Sequence, residues 1–235
     1  METLTIDDLS IEVRRSKRRK TADLVVDRGG EIVFSVPVDF TKKKIEGLVR
    51  SRLEWIYQTL GNKQKLLHTK VKKELVTGEG FYYLGSKYRL KIIRAESGEI
   101  CPGLLMLKNG RFCLAAEAVE EGLSYFQKWY SKQAKKWIEK ELPKMAERVG
   151  VKPGPVKIMD LKNRWASCSK NGGLNFHWRV ILLPSAMVRY LILHELVHLK
   201  EHSHSSVFYR ILERVAPDYL SCEEWLKLNG DRYSL

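Results

Sequence analysis

Cysteine is scarce in this chain. Its four cysteines, Cys101, Cys113, Cys168 and Cys222, stand far apart with no CxxC among them. That spacing excludes a cysteine zinc site and a thioredoxin-type redox pair. With no secretory leader in the sequence, the thiols are expected to be free. Long apolar runs are missing as well: no segment approaches the ~20 residues a membrane span needs. The opening METLTIDDLS carries acids and no apolar stretch, so it does not read as a secretory signal. A cytoplasmic protein is the expectation. There is no internal repeat and no low-complexity linker. Histidine is rare too, at six residues in 235.

Positive charge, by contrast, is abundant. Lysine and arginine number 42 against 28 acids, a net charge of +14. Such a surface favours anionic partners. No nucleic-acid motif accompanies the charge, so nucleic acid is admitted as a partner on charge alone. At 44% hydrophobic residues, with 6 Trp, 10 Tyr and 7 Phe, the chain can build an ordinary core. Its length suits one large domain or two small ones.

Four of the six histidines fall between positions 194 and 204, in the stretch HELVHLKEHSH. His194 and His198, four apart, project from one face of a helix. That spacing lets both imidazoles reach one metal ion, with Glu195 beside them as general base. Around them lies an apolar run, Met187, Val188, Leu191, Ile192, Leu193, Leu196 and Val197. Burying His194, Glu195 and His198 there without partners would be costly; a metal removes that cost. Pro184 and Ser185 read as a stop and an N-cap. Two residues compete for third ligand. His202 lies another helical step beyond His198, whereas His204 needs a turn to bring it back. The donor set suits one Zn²⁺ per chain with an open position for water.

The rest reads as alternating strands and helices. Strands are expected at 9–13, 24–26 and 32–36, with a hairpin turn at 27–30. Arg14 to Lys20 holds six cations in seven residues, either a solvated turn or an anion-contacting loop. A helix is expected over 41–60, then a basic connector with Lys70, Lys72 and Lys73. Hairpins follow at 81–93 and 104–114, the second turned at Asn109-Gly110. A long helix spans 119–149, with Pro143 set to kink or divide it and Gly150 to stop it. Residues 156–159 and 174–183 read as strands, and 205–215 as a helix. The organisation divides at 117/118: a β-rich N-terminal region with one helix over 1–117, then the metal-binding region over 118–235, which joins the first in one domain as readily as it stands apart.

Between 163 and 209 a pattern emerges. It runs Asn163-Arg164-Trp165-Ala166-Ser167-Cys168-Ser169, Gly173-Leu174-Asn175, Trp178-Arg179, Pro184, HELVHL, Ser203-His204-Ser205 and Phe208-Tyr209. This resembles the YgjP-like metallopeptidase family of the zincin clan, whose motifs read RWGSC, HELxHL and NHSxxFW. The segments IEVRRSKRRKTADLVV, VPVDF and YYLGSKYRL extend the likeness over nearly the whole chain. Ala166 stands for the usual Gly, Ser203 for Asn and Tyr209 for Trp. The resemblance implies an α+β, zincin-like fold, with the HExxH helix packed beside an antiparallel sheet. It also implies His194, His198 and His204 as zinc ligands.

The expected chemistry is zinc-dependent hydrolysis, most simply of peptides, with the 174–183 strand pairing an extended substrate. Arg164, Ser167 and Asn175 are candidates for substrate or transition-state contacts. Cys168 beside Ser167 reads as a structural thiol in preference to a nucleophile. Two alternatives remain open: hydrolysis of nucleoside triphosphates or other anionic phosphoanhydrides, and a basic nucleic-acid-binding protein with a structural zinc. Nothing in the sequence sets an oligomeric state.

Overall fold

The computed structural model describes residues 2–26, 30–67, 73–94, 103–161 and 164–235. Residues 27–29 of the turn expected at 27–30, the cations Lys70 and Lys72, Cys101 and Asn163 lie outside them. Among the described residues are six α-helices and three sheets, each mixing parallel and antiparallel pairs. None of the helices is long and apolar enough to cross a membrane. The chain forms two units, Met1–Val71 and Lys72–Leu235. The 117/118 division expected from the order of elements falls inside the second of these. The strands before it bury Phe81, Leu90, Phe112 and Leu114 in the same core as the helices after it.

In the first unit, β1 (Glu2–Ile6), β2 (Leu9–Ser16), β3 (Asp23–Val26) and β4 (Ile32–Pro37) form a sheet in the order β1-β2-β4-β3. Strict alternation in β2 buries Leu9, Ile11 and Val13 and turns the residues between them outward. The expected 41–60 helix is two helices, α1 (Lys42–Arg50), capped by the Thr41 hydroxyl, and α2 (Leu53–Leu67). Ile45, Val49 and Ile56 pack with Ile11 and Val36 in this core. Half of the cation run is seen ion-paired: Arg14 pairs with Glu12 and Arg15 with Glu2, both at 2.7 Å, and Arg19 with Asp23 at 3.6 Å.

In the second unit, β5 (Gly80–Tyr83), β6 (Ser86–Ile93), β7 (Leu105–Lys108) and β8 (Arg111–Ala115) form a sheet in the order β5-β6-β8-β7. Helix α3 (Gly122–Val149) packs against the same core. Phe81 stacks on Phe126 with centroids 4.1 Å apart, and Phe112 meets the Phe126 ring edge-on at 5.1 Å. Phe126, Tyr130, Ala134 and Ile138 mark the inner face of α3, as their spacing predicts. Pro143 lies inside this helix and does not divide it into two elements. Pro143 and Glu139, whose carbonyl it leaves without a helical donor, are both solvent-exposed, so water can satisfy that carbonyl. Gly150 closes the helix in a left-handed conformation, φ 72°, as expected.

A three-stranded sheet follows: β9 (Val156–Met159), β10 (Ala166–Cys168) and β11 (Leu174–His177), in the order β10-β11-β9. The 174–183 strand stops at His177, and Trp178–Leu182 is a 3-10 turn. The His177 ring caps it, Nδ1 accepting from the Arg179 N–H at 3.0 Å. Val180, Ile181, Leu182 and Leu183 are apolar because all four are buried, not because they alternate. Next come α4 (Ser185–Val197), α5 (Ser206–Val215) and α6 (Tyr219–Asn229). Pro184, not Ser185, occupies the N-cap of α4, and its carbonyl accepts from the Met187 and Val188 N–H groups.

The β5–β6 turn fixes where α4 begins. The Leu84 and Gly85 N–H groups donate to the carbonyls of Ile181 and Leu182 at 2.8 and 3.1 Å. Gly85 has φ +81°, and a Cβ there would sit 2.9 Å from the Pro184 Cα. Gly85→Ala is expected to cost about 1–2 kcal/mol from backbone conformation alone, with the clash added. Denaturant titration of the variant measures this; an unchanged midpoint would mean that the turn does not press on Pro184.

Candidate metal centre

Helix α4 is buried over most of its length, with Ala186 and Arg189 exposed in its first half. Val188, Ile192, Leu196 and Val197 are fully buried. His194 and His198 stand one turn apart on it, and Glu195, the residue after His194, is only 5% exposed. The helix gives way at His198, and the next turn brings His204 back. Glu201 holds that turn: its Oε1 accepts from the Ser203 N–H at 3.2 Å and the Ser203 hydroxyl at 2.6 Å. These bonds keep the Glu201 carboxyl below its usual pKa. Ser205 then caps α5, accepting from the Phe208 N–H at 3.3 Å.

The three imidazoles converge. One ligand atom from each of His194, His198 and His204 lies within 4.8 Å of the others. Phe208, fully buried, lies against all three rings at centroid distances of 5.0, 4.6 and 4.7 Å. His202 is exposed and does not join the cluster.

Their protonation suits a cation. His198 Nδ1 lies 3.1 Å from the Glu201 carbonyl, which can only accept, so Nδ1 carries the proton and Nε2 the lone pair. Nε2 of His194 and Nε2 of His204 are 3.0 Å apart. Two nitrogens on one tetrahedral zinc, with bonds of about 2.0–2.1 Å, would lie roughly 3.3 Å apart. Burial, with the neighbouring His198 and His204, pushes the His194 pKa down to about 3. Burial also lowers that of His198. Neutral imidazoles are what a metal requires.

Glu195 is the second feature. Burial pushes its pKa up to about 7, against the opposing pull of the Arg164 charge and a hydrogen bond from the Cys168 N–H. Its Oε2 is buried with no hydrogen-bond partner. In the metal-free protein, folded Glu195 therefore holds its proton more tightly than the unfolded chain does. The stability this gives is present at low pH and is lost as pH rises from about 4.5 to about 7. Glu195→Gln is expected to gain stability over the wild type, on the order of 3 kcal/mol, across that window. His194, shifted the other way, contributes the opposite slope in both proteins and cancels in the difference. Urea titrations of both metal-free proteins at acid and at alkaline pH measure it. A pH-independent difference would mean that the carboxylate is not desolvated.

The remaining candidates are placed less directly. Arg164 is exposed, and its charge is felt at Glu195. Ser167 and Asn175 pair across β10 and β11, the Asn175 amide 3.4 Å from the Ser167 hydroxyl. Neither bonds to the histidines or to Glu195 among the described residues. Burial and the Glu195 charge raise the Cys168 thiol pKa, the opposite of an activated nucleophile. Cys168 and Cys222 are free thiols. His177 is fully buried, with Nε2 3.0 Å from Asp160, and is not one of the cluster.

The 174–183 segment cannot receive a peptide in the expected way, because β11 is the central strand of its sheet. Its neighbour β10 is at the edge and touches α4. Trp165 and Ser169 bond inward to His177 and Gly173. By alternation, the Ala166 and Cys168 backbone groups point to the outer edge, where the Cys168 N–H meets Glu195.

Sequence reading named Phe208 only as part of the family motif and did not single out Tyr190 or Glu223. The Tyr190 hydroxyl lies 3.3 Å from His194 Nδ1 and 3.1 Å from Glu223 Oε1. Tyr190 stands one turn before His194, a spacing that could have marked it.

A family described as YgjP-like, metallopeptidase domain, matches residues 20–229. No curated protein matches the chain. Among solved structures, it is similar to the crystal structure of the metallopeptidase zymogen of Pyrococcus abyssi abylysin. Identity is 31%, over 37% of this chain and 89% of that one, with a TM-score of 0.35.

Proposed function

The chain belongs to the YgjP-like metallopeptidase family of metal-dependent hydrolases, and on that premise we propose that it is a zinc-dependent peptidase. In this reading His194, His198 and His204 hold one zinc ion and Glu195 is the general base. The observation that carries it is the buried, unpartnered Oε2 of Glu195, one residue from an imidazole whose Nε2 faces two more. When bound, zinc supplies Lewis acidity, making water nucleophilic near neutral pH and polarising the carbonyl to be attacked.

The chain's own residues do the rest. The Cys168 N–H holds one Glu195 oxygen, leaving Oε2 to take a proton from the attacking water and pass it to the leaving amine. A peptide lies extended along β10, bonding to the outward N–H and C=O of Ala166. We assign Arg164 to the developing oxyanion charge, and Ser167 with Asn175 to holding β10 in register. The accompanying fold reading is zincin-like, with the HExxH helix beside a mixed sheet whose edge strand receives substrate.

Phosphoanhydride hydrolysis is the competing chemistry. Three neutral imidazoles suit zinc better than the oxygen-preferring ions of phosphate sites. A screen of zinc-loaded protein on unstructured polypeptides and on nucleoside triphosphates, with Glu195→Gln as the blank, tests both. Peptide cleavage that the variant lacks is expected. Triphosphate cleavage alone would overturn the peptidase reading.

A further inference from the structure

Tyr190 has a single hydroxyl proton, and where it goes decides how His194 presents itself. The hydroxyl lies between Glu223 Oε1, 3.1 Å away on α6, and His194 Nδ1, 3.3 Å away on α4. A carboxylate only accepts, and a phenol has one proton to give. Donation to Glu223 leaves the Tyr190 oxygen as an acceptor. His194 Nδ1 must then carry a hydrogen, and Nε2, 3.0 Å from His204 Nε2, keeps its lone pair. Tyr190 is only 5% exposed, so bulk water cannot stand in for it with either polarity.

We infer that Glu223 and Tyr190 are positioning residues that act in series to fix the tautomer and direction of His194, making helix α6 part of the metal centre. The inference rests on the proposed metal site and adds two residues to it. Groups that orient metal-bound imidazoles in this way typically change metal affinity 10–100-fold when removed. The two substitutions act differently. Tyr190→Phe removes the acceptor for Nδ1–H while keeping the ring. Glu223→Ala leaves the Tyr190 proton free to turn toward Nδ1, which favours the tautomer with hydrogen on Nε2, so that Nε2 has no lone pair for the metal. Glu223→Gln keeps a carbonyl that can accept from Tyr190.

The experiment measures zinc affinity of the full chain by competition with a chromophoric chelator, alongside thermal melting of each zinc-free variant. Tyr190→Phe and Glu223→Ala are each expected to weaken zinc binding by roughly 10–100-fold, with zinc-free melting lowered by no more than the loss of a buried hydrogen bond explains. The double variant should be no weaker than the worse single, because the groups act in series, and Glu223→Gln should recover most of the loss. Affinities close to wild type in both singles would overturn the relay. So would fully additive losses, or a Glu223→Gln protein as weak as Glu223→Ala. Wild-type protein that takes up no zinc would instead overturn the metal site itself.

Discussion

Zinc-loaded Glu195→Gln protein is expected to keep its metal and lose its turnover. Glutamine is close in size to glutamate, and the Cys168 N–H that meets the Glu195 carboxylate can still be accepted by an amide oxygen. The imidazole cluster is built without Glu195, from α4, the 198–204 turn and Phe208, so metal content should not change. What disappears is the basic oxygen. General-base catalysis contributes typically 10²–10⁴-fold, and kcat is expected to fall by roughly that factor with KM little altered. Steady-state kinetics beside metal analysis separates the two quantities. Retained turnover in fully loaded variant protein would remove Glu195 from the chemistry; lost metal would make it a structural support for the site.

The second large effect distinguishes two neighbouring histidines. His204→Ala is expected to abolish stoichiometric zinc binding, whereas His202→Ala should leave it intact. His204 Nε2 is 3.0 Å from His194 Nε2, while His202 is exposed and outside the cluster. Removing a direct ligand should exceed the 10–100-fold loss typical of outer groups. The same pair can be read through stability. A ligand present at about a thousand times its dissociation constant stabilises the folded state by roughly 4 kcal/mol. The zinc-dependent rise in melting temperature should therefore persist in His202→Ala and vanish in His204→Ala. The reverse result would place the third ligand on a continued helix and require the 198–204 turn to rearrange.

Much of this site could be read from the residues because its signal is local. His194, Glu195 and His198 sit in an apolar helix where uncompensated polar groups are costly, so the pattern stands out without a structure. The hairpins at 80–93 and 105–115 were legible from alternation and turn chemistry. Leu84-Gly85 and Asn109-Gly110 both take positive φ, as such turns require.

What was not legible depends on tertiary partners. The apolar run after His177 gives no period to separate a strand from a 3-10 turn; the His177 ring and the surrounding core decide it. Which helix covers strands β5 to β8 is not written in their alternation, so a division at 117/118 was as natural as one at 71/72. Glu223 lies 33 residues from Tyr190, on a helix whose sequence, YLSCEEWLKLN, has no metal-ligand spacing.

The edge of β10 has a consequence for the kind of target the proposed enzyme can engage. The strand is three residues long, and the Cys168 N–H is already given to Glu195. Within β10, among the described residues, only Ala166 therefore offers both a donor and an acceptor at the rim. So short a main-chain grip confers little affinity and little preference for side-chain identity. A segment already locked in a helix or sheet has no spare backbone groups with which to answer it. Selection would then act on conformational state: frayed termini, open loops and misfolded chains would be cut, and the same sequence, once folded, would be spared.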